Sequence, residues 1–440
     1  MVRKITMQQH RLRNILSEEL HTRPFHDFEG GGRFIRLVYL HEESEQAILR
    51  AVNSWLKKQS RPVIASQEKF RREPFDTYAL RIERHSEFTT ISFIIKAEKP
   101  GSGLSKGAFD PAAHKELPFD LPAKIKQPVF HAVWLEVGGK PPAGLNSEKV
   151  SEMLECRSGA SNLISDGSAQ IHLSFDIDRN GYSRMAVFNK DIPANRMGRI
   201  VQRLVEMETY RMLALLGLPM IRDHSAELSQ IEQDLQELTH RLSLQISASP
   251  DTGGTLLGQL SGLAAQIERL AADSSFRLGA TKAYRDIFTA RLARLNISPL
   301  EGHQGVIGFL DRRMMPAMQS CEAFSARLQD LSKRVERAGS LLRTHTELVI
   351  QNQNTNLLTS MDKRASAQLR LQQTVEGLSI IAGTYYGVGL VGVLAESLPL
   401  ENWQIGLDMI KTGSVPFVAF GIFLIVRRGS RAIHEARTKS

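Results

Sequence analysis

Cysteine is nearly absent: Cys156 and Cys321 are the only two in 440 residues, far apart and outside any Cys-x-x-Cys frame. A disulfide framework or a thiolate zinc site would need more of them, and both are excluded. Met1 to Leu20 lacks an apolar run and carries Arg3, Lys4, Arg11 and Arg13 instead. Nothing there resembles a secretory signal, so the body of the chain is expected in the cytoplasm. Two binding signatures are incomplete. Gly30-Gly31-Gly32-Arg33 lacks the Gly-Lys-Ser/Thr ending of a phosphate loop and leads into a strand, so it reads as a turn. Asp176-Ile177-Asp178-Arg179-Asn180-Gly181 opens like a calcium loop, but its twelfth position is Val187, where a bidentate Glu is required. It reads as a hairpin turn with solvated acids.

At 42% hydrophobic and 23% charged residues the composition is ordinary for a globular protein. The length calls for two or three packed units. A formal charge of +9 fits nucleic acid, anionic lipid or a dispersed surface excess, and position has to decide among them.

The first part, 1–222, reads as an α+β cytoplasmic domain with a mainly antiparallel sheet. β-Branched and aromatic residues mark a strand over Arg33 to Leu40, and a helix follows through Ala47 to Leu56. Tyr78 to Arg84 and Glu87 to Lys96 alternate apolar with polar residues as a hairpin does. Residues 99–124 read as a loop and Val129 to Val137 as a strand. Gln170 to Ile177 and Tyr182 to Asn189 flank Asn180-Gly181 as a second hairpin. A helix from Pro193 to Leu216 is stopped by Gly217 and Pro219.

Residues 223–376 read as long helices forming a coiled-coil stalk. Leu228, Ile231, Leu235, Leu238 and Leu242 repeat at spacings of three and four. Leu257, Leu260, Leu263, Ile267 and Leu270 continue the pattern after Pro250, Gly253 and Gly254. Leu328, Leu331, Val335, Ala338 and Leu342 begin a third seam in a stretch where Gly339 is the only glycine or proline from Ala317 to Glu376. A helix of about 60 residues would reach roughly 90 Å. An exposed leucine seam is a liability, so a homo-oligomer is expected unless the helices bury one another.

Residues 377–428 read as a two-helix transmembrane hairpin, with spans over about 378–398 and 405–426. The first apolar segment carries Gly383, Tyr386, Gly387, Gly389 and Gly392 as contact positions for close helix approach. The second is long enough only if the turn from Ile405 joins it, which brings Asp408 and Lys411 to the outer interface. Lys363, Arg364 and Arg370 precede the first segment, while Arg427, Arg428 and Arg431 follow the second. The positive-inside rule then places both termini in the cytoplasm, with 429–440 as a basic tail. This places part of the basic excess against anionic lipid, and no nucleic acid is expected.

Two polar sets could carry function. Glu18 and His21 end the first helix, and Glu83, His85 and Glu87 alternate along a hairpin strand. An imidazole among carboxylates can hold a divalent cation or act as an acid–base pair; charges at a hairpin tip are as readily solvated. In the stalk, Asn352, Asn356, Thr359 and Ser366 continue the seam from Leu342 as a polar stripe. Such a stripe could line a passage on a symmetry axis, or face water while Leu357, Met361, Ala365 and Leu369 pack.

Glu19-Leu20-His21-Thr22-Arg23-Pro24-Phe25, Glu83-Arg84-His85-Ser86-Glu87-Phe88-Thr89 and Ser360-Met361-Asp362-Lys363-Arg364, with Val375-Glu376-Gly377-Leu378-Ser379 and Tyr385-Tyr386, carry a family resemblance. They resemble an uncharacterised bacterial family of membrane-anchored proteins, the domain-of-unknown-function family numbered 3422, over nearly the full length. The resemblance implies a membrane anchor in the bacterial inner membrane and no particular activity. The order of domains is also similar to the CorA/ZntB divalent-cation channels, whose signature is Gly-Met-Asn. Here the nearest match, Tyr386-Gly387-Val388-Gly389, has neither Met nor Asn. The expected function is therefore a membrane-anchored scaffold or sensor that oligomerises through its stalk and meets a cytoplasmic protein partner. A CorA-like channel is the alternative, and a membrane-tethered enzyme using His21, Glu83, His85 and Glu87 is a third reading.

Overall fold

The computed structural model describes residues 10, 12–13, 26–28, 31–41, 45–97, 101–115, 117–157, 159–248, 253–397 and 406–437. The expected first helix and the turn at Arg23-Pro24 lie outside these, apart from a helical Leu12-Arg13. The described residues fall into two compact units. One comprises Met1–His240 and Gly258–Ala338; the other comprises Arg241–Leu257 and Gly339–Ser440.

The first unit is built on a mixed sheet of nine strands. In chain order these are β1 (Gly31–Leu40), β2 (Phe70–Pro74), β3 (Tyr78–Arg84), β4 (Phe88–Ala97), β5 (His131–Gly138), β6 (Ala160–Ile164), β7 (Ala169–Leu173), β8 (Ser183–Asn189) and β9 (Ser298–Pro299). Their order across the sheet is β2-β3-β4-β1-β5-β8-β7-β6-β9. The β5·β8 pair is parallel and the other pairs are antiparallel. β5 is buried at every position, as befits a central strand covered on both faces.

The pleat sends alternate side chains to two cores. Phe34, Val38, Leu135 and Val187 meet α4 (Ala194–Ala214) through Met197, Val201 and Leu204. On the opposite face, Ile35, Leu37 and Tyr39 pack with Ile48, Val52 and Trp55 of α1 (Glu45–Lys58). Short helices α2 (Asp120–Lys124) and α3 (Ser147–Leu154) add Leu121, Val150 and Leu154 to that second core. The expected loop over 99–124 thus contains α2 and a 3-10 turn at Pro111–Ala113. The turn at Asp176–Gly181 is present; Asp178 is buried in it, whereas Asp176 stays at the surface. Asp178 pairs with Arg184 at 2.6 Å and Asp176 with Arg157 at 2.8 Å.

The helix expected over Pro193 to Leu216 does end there, at Ala214, and Gly217 and Pro219 follow the break. They open α5 (Gly217–Ala248). A proline in a first turn costs no hydrogen bond, since those N–H groups have no helical acceptor. α6 (Gly253–Ala293), α7 (Val306–Arg313) and α8 (Met315–Glu396) follow, and Phe288, Phe309 and Met314 join the core under α4.

Within this unit the leucine seams bury one another. Leu228, Ile231, Leu235 and Leu238 of α5, Leu260, Leu263, Ile267 and Leu270 of α6, and Leu328, Leu331 and Val335 of α8 are all buried. Ion pairs Glu227–Arg269, Glu232–Arg327 (2.6 Å) and Arg285–Glu322 tie the three helices together. The intramolecular alternative therefore holds for these leucines. In the second unit, Leu256 is buried and Leu257, where the second seam was expected to start, is exposed, a shift of one position.

In the second unit nearly every residue of α8 between Arg343 and Leu378 is exposed. α9 (Leu407–Arg437) lies against the end of α8 in antiparallel sense: Gly383 faces Ile422, Gly387 faces Val418 and Gly392 faces Lys411.

Candidate functional site

Arg36, Arg81 and Glu83 are three charges inside the sheet's first face. Arg36 stands on β1 and the other two on β3, with β4 between these strands. Glu83 accepts from Arg36 at 3.0 Å and from Arg81 at 2.7 Å. Arg36 also donates to Ser92 at 3.1 Å, and Arg81 reaches Gln202 of α4 at 3.5 Å. Burial raises the Glu83 carboxyl, but Arg36 and Arg81 outweigh it and hold it down at about 2. Two further buried carboxylates are paired in the same way. Glu208 binds Arg211 at 2.6 Å and His131 at 3.3 Å, and is likewise held at about 2 against its burial. Glu136 accepts from both Arg33 and Trp134 at 2.8 Å; here burial prevails and raises its pKa. Buried charges persist when paired and hydrogen-bonded.

The acid–histidine set of the sequence is distributed. Glu18 and His21 lie outside the described residues. Glu83 belongs to the arginine cluster. His85 stacks on Phe88 with centroids 4.1 Å apart. Glu87 turns to α6, where Arg277 binds it at 2.9 Å and the Tyr284 hydroxyl donates to it. Burial and then Glu87 raise the Tyr284 pKa. Positions 85–87 belong to the β3–β4 turn, where strand alternation no longer holds. Among the described residues no three His, Cys, Asp or Glu side chains gather around one point suited to a metal ion.

A cavity of about 580 Å³ opens between α6 and α8 of the first unit. Ser274, Thr281, Met318, Cys321 and Ser325 line it, with Lys282 and the paired Arg285–Glu322 at its wall. Burial pushes the Cys321 thiol up, away from the thiolate a nucleophile would need.

Asn352, Asn356, Thr359 and Ser366 are exposed along α8, and the Thr359 hydroxyl donates to the Thr355 carbonyl. Leu357, Met361 and Leu369 are exposed as well, so neither row packs within the chain. Lys363, Arg364 and Arg370 stand exposed before the apolar segment. Of the contact positions, Gly383, Gly387 and Gly392 face α9, Gly389 meets open space, and Tyr386 is exposed beside Tyr385. Arg427 lies over the Phe423 ring at 5.6 Å, and Arg428 is exposed. Arg431 lies on α9, with its side chain outside the described set.

Two helices, α8 at its C-terminal end and α9 over Leu407–Arg428, are long and apolar enough to cross a membrane. Little of either apolar stretch is buried, unlike a core helix of a soluble protein.

Sequence reasoning missed Arg36, Arg81, Glu136, His172 and Glu208. The signal was present in part: a lone charge in an apolar strand, as in Phe34-Ile35-Arg36-Leu37-Val38 or Trp134-Leu135-Glu136-Val137, is costly unless a partner is buried with it.

The fold thus defines a mixed-sheet unit in a chain that also bears two apolar C-terminal helices. The chain belongs to the family described as "Protein of unknown function (DUF3422)", which it matches over residues 8–433. No curated protein matches it.

Proposed function

We propose that this is a membrane-anchored scaffold or sensor of the bacterial inner membrane, held by a transmembrane hairpin with both termini in the cytoplasm. The observation that carries the reading is the pairing of the α8 and α9 apolar segments through Gly383, Gly387 and Gly392, while Ile381, Tyr385, Phe417 and Ile425 remain exposed. Glycines allow the backbones close approach, and the outward apolar side chains suit lipid. Arg427 and Arg428 then meet anionic headgroups. Membranes washed at alkaline pH should retain the full chain and release one ended after Glu376. Release of the full chain would end the anchoring proposal.

Self-association is assigned to α8. Ile350, Leu357, Met361, Leu371, Val375 and Leu378 are exposed at heptad spacing, a coiled-coil pattern the chain does not cover itself. A sheet unit carried on such an oligomer would be available to a cytoplasmic partner. Light scattering of the detergent-solubilised protein should give a multimer that Leu357→Asp with Met361→Asp reduces to monomer.

The exposed stripe Asn352, Asn356, Thr359 and Ser366 favours a second reading, a CorA-like divalent-cation channel with this stripe on its axis. Lys363, Arg364 and Arg370 on the same helix would oppose cations, and Gly-Met-Asn is missing. Flux of Mg²⁺, Co²⁺ or Zn²⁺ into proteoliposomes, abolished by Asn356→Leu, would favour the channel; its absence favours the scaffold.

A further inference from the structure

His172 and His303 lie 131 positions apart in sequence and meet at the sheet's second face with ring centroids 6.0 Å apart and planes at 59°. His172 is on β7, wholly buried, with Phe188 edge-on at 5.4 Å. Its neighbour across the strand pair is Ser161, whose hydroxyl engages Nδ1 at 2.8 Å. His303 sits on the turn between β9 and α7, its Nδ1 3.0 Å from the Glu301 carbonyl oxygen. A carbonyl can only accept, so Nδ1 of His303 carries the proton and Nε2 of the neutral ring keeps its lone pair.

Both Nε2 atoms are buried and neither makes a hydrogen bond. Buried polar atoms nearly always have a partner, so two orphans on neighbouring rings ask for an occupant. The turn is not loosely placed. Ser161 N–H donates to the Gln304 carbonyl at 2.8 Å and the Ser147 hydroxyl to the Gly302 carbonyl at 2.9 Å. Asn162 clasps both ends of the segment, donating to Ser298 O at 2.8 Å and accepting from Val306 N–H at 2.7 Å.

An ion bound at 2.0–2.1 Å from each Nε2 would stand roughly 3.2 Å from each ring centroid, so two rings on one ion have centroids about 5–6.5 Å apart. The observed separation falls inside that span. We infer that His172 and His303 form a two-imidazole site for a transition-metal cation, with water completing its coordination. Imidazole is a ligand of choice for zinc and copper, and each Nδ1 contact acts from outside to orient its ring. His303, only half-buried, offers the way in.

The test uses the metal-stripped full chain in detergent, titrated with Zn²⁺ alone and separately with Cu⁺ under reductant, each against a chromophoric chelator. One ion per chain is expected from one of the two metals, and X-ray absorption should show imidazole nitrogens at about 2.0–2.1 Å. His303→Ala, a change on a turn, should abolish that binding while circular dichroism stays unchanged. Ser161→Ala should weaken it by about tenfold or more through the misoriented ring. Absence of stoichiometric binding of either metal by the wild-type chain, or equal binding by His303→Ala, would overturn the assignment.

Discussion

The guanidinium of Arg36 on β1 crosses the intervening strand β4 to bind Glu83 on β3 at 3.0 Å, inside the sheet's covered face. Arg81 shares the same carboxylate at 2.7 Å. Glu83→Gln therefore removes the carboxylate that two buried guanidinium groups share. The expected loss is about 3–5 kcal/mol, the scale for breaking a buried pair by removing one partner. Denaturant unfolding of the solubilised chain, followed by tryptophan fluorescence (Trp55 and Trp134 are buried in the sheet's second core), should show it. A change under 1 kcal/mol would mean that water already reaches the cluster.

Acid should destabilise the metal-free protein in two stages. His172 has a folded pKa lowered from 6.5 to about 4, so the unfolded chain takes up the proton first and stability falls as pH drops from 6.5 towards 4. His26 shifts in the same direction, by burial and by Arg72, and adds to that stage. Glu83 and Glu208 are depressed from 4.5 to about 2, so their contribution is full above 4.5 and is lost as pH falls to 2. His172→Gln should flatten the upper stage and leave the lower one in place, as read from unfolding midpoints across that range.

Asn162 joins β6 to both ends of the segment that carries His303. Asn162→Ala removes two hydrogen bonds, one buried and one partly buried, and should cost about 2–3 kcal/mol. Hydrogen exchange at the amides of 298–306 should rise in this variant while exchange in β1 and β5 stays slow. Uniform acceleration would place the residue in the global core instead.

The glycines of α8 should separate sharply in tolerance. A Cβ at Gly387 would stand 2.5 Å from Val418 Cγ1, whereas one at Gly389 would meet nothing. Gly387→Leu should push α9 away and Gly389→Leu should not. The readout is disulfide formation between Gly383→Cys and Ile422→Cys with the native cysteines replaced: retained with Gly389→Leu and lost with Gly387→Leu.

Much of the local structure was legible. The alternation in Tyr78–Arg84, the Asn180-Gly181 turn and the heptad leucines each sit on the element expected of them. β2, β6, β9, α2, α3 and α7 were not foreseen. β9 is two residues long and contains Pro299, and its only reason to be a strand is Asn162 and Leu163 on the other side of the ladder. Glu83 and Glu87 show the same limit. Similar in sequence context, they part company because one points beneath α4 and the other meets Arg277 and Tyr284 of α6.

By itself the sequence determined what short-range periodicity can encode: the longer strands and helices, and the two segments apolar enough for a bilayer. Tertiary structure alone decided which charges share a core, how the leucine seams are buried, and that His172 meets His303. Those outcomes depend on contacts between different elements of the fold, such as Arg36 with Glu83 and His172 with His303, and no local spacing records them. They follow from the need to pair every buried charge and cover every apolar face once the strands have taken their order.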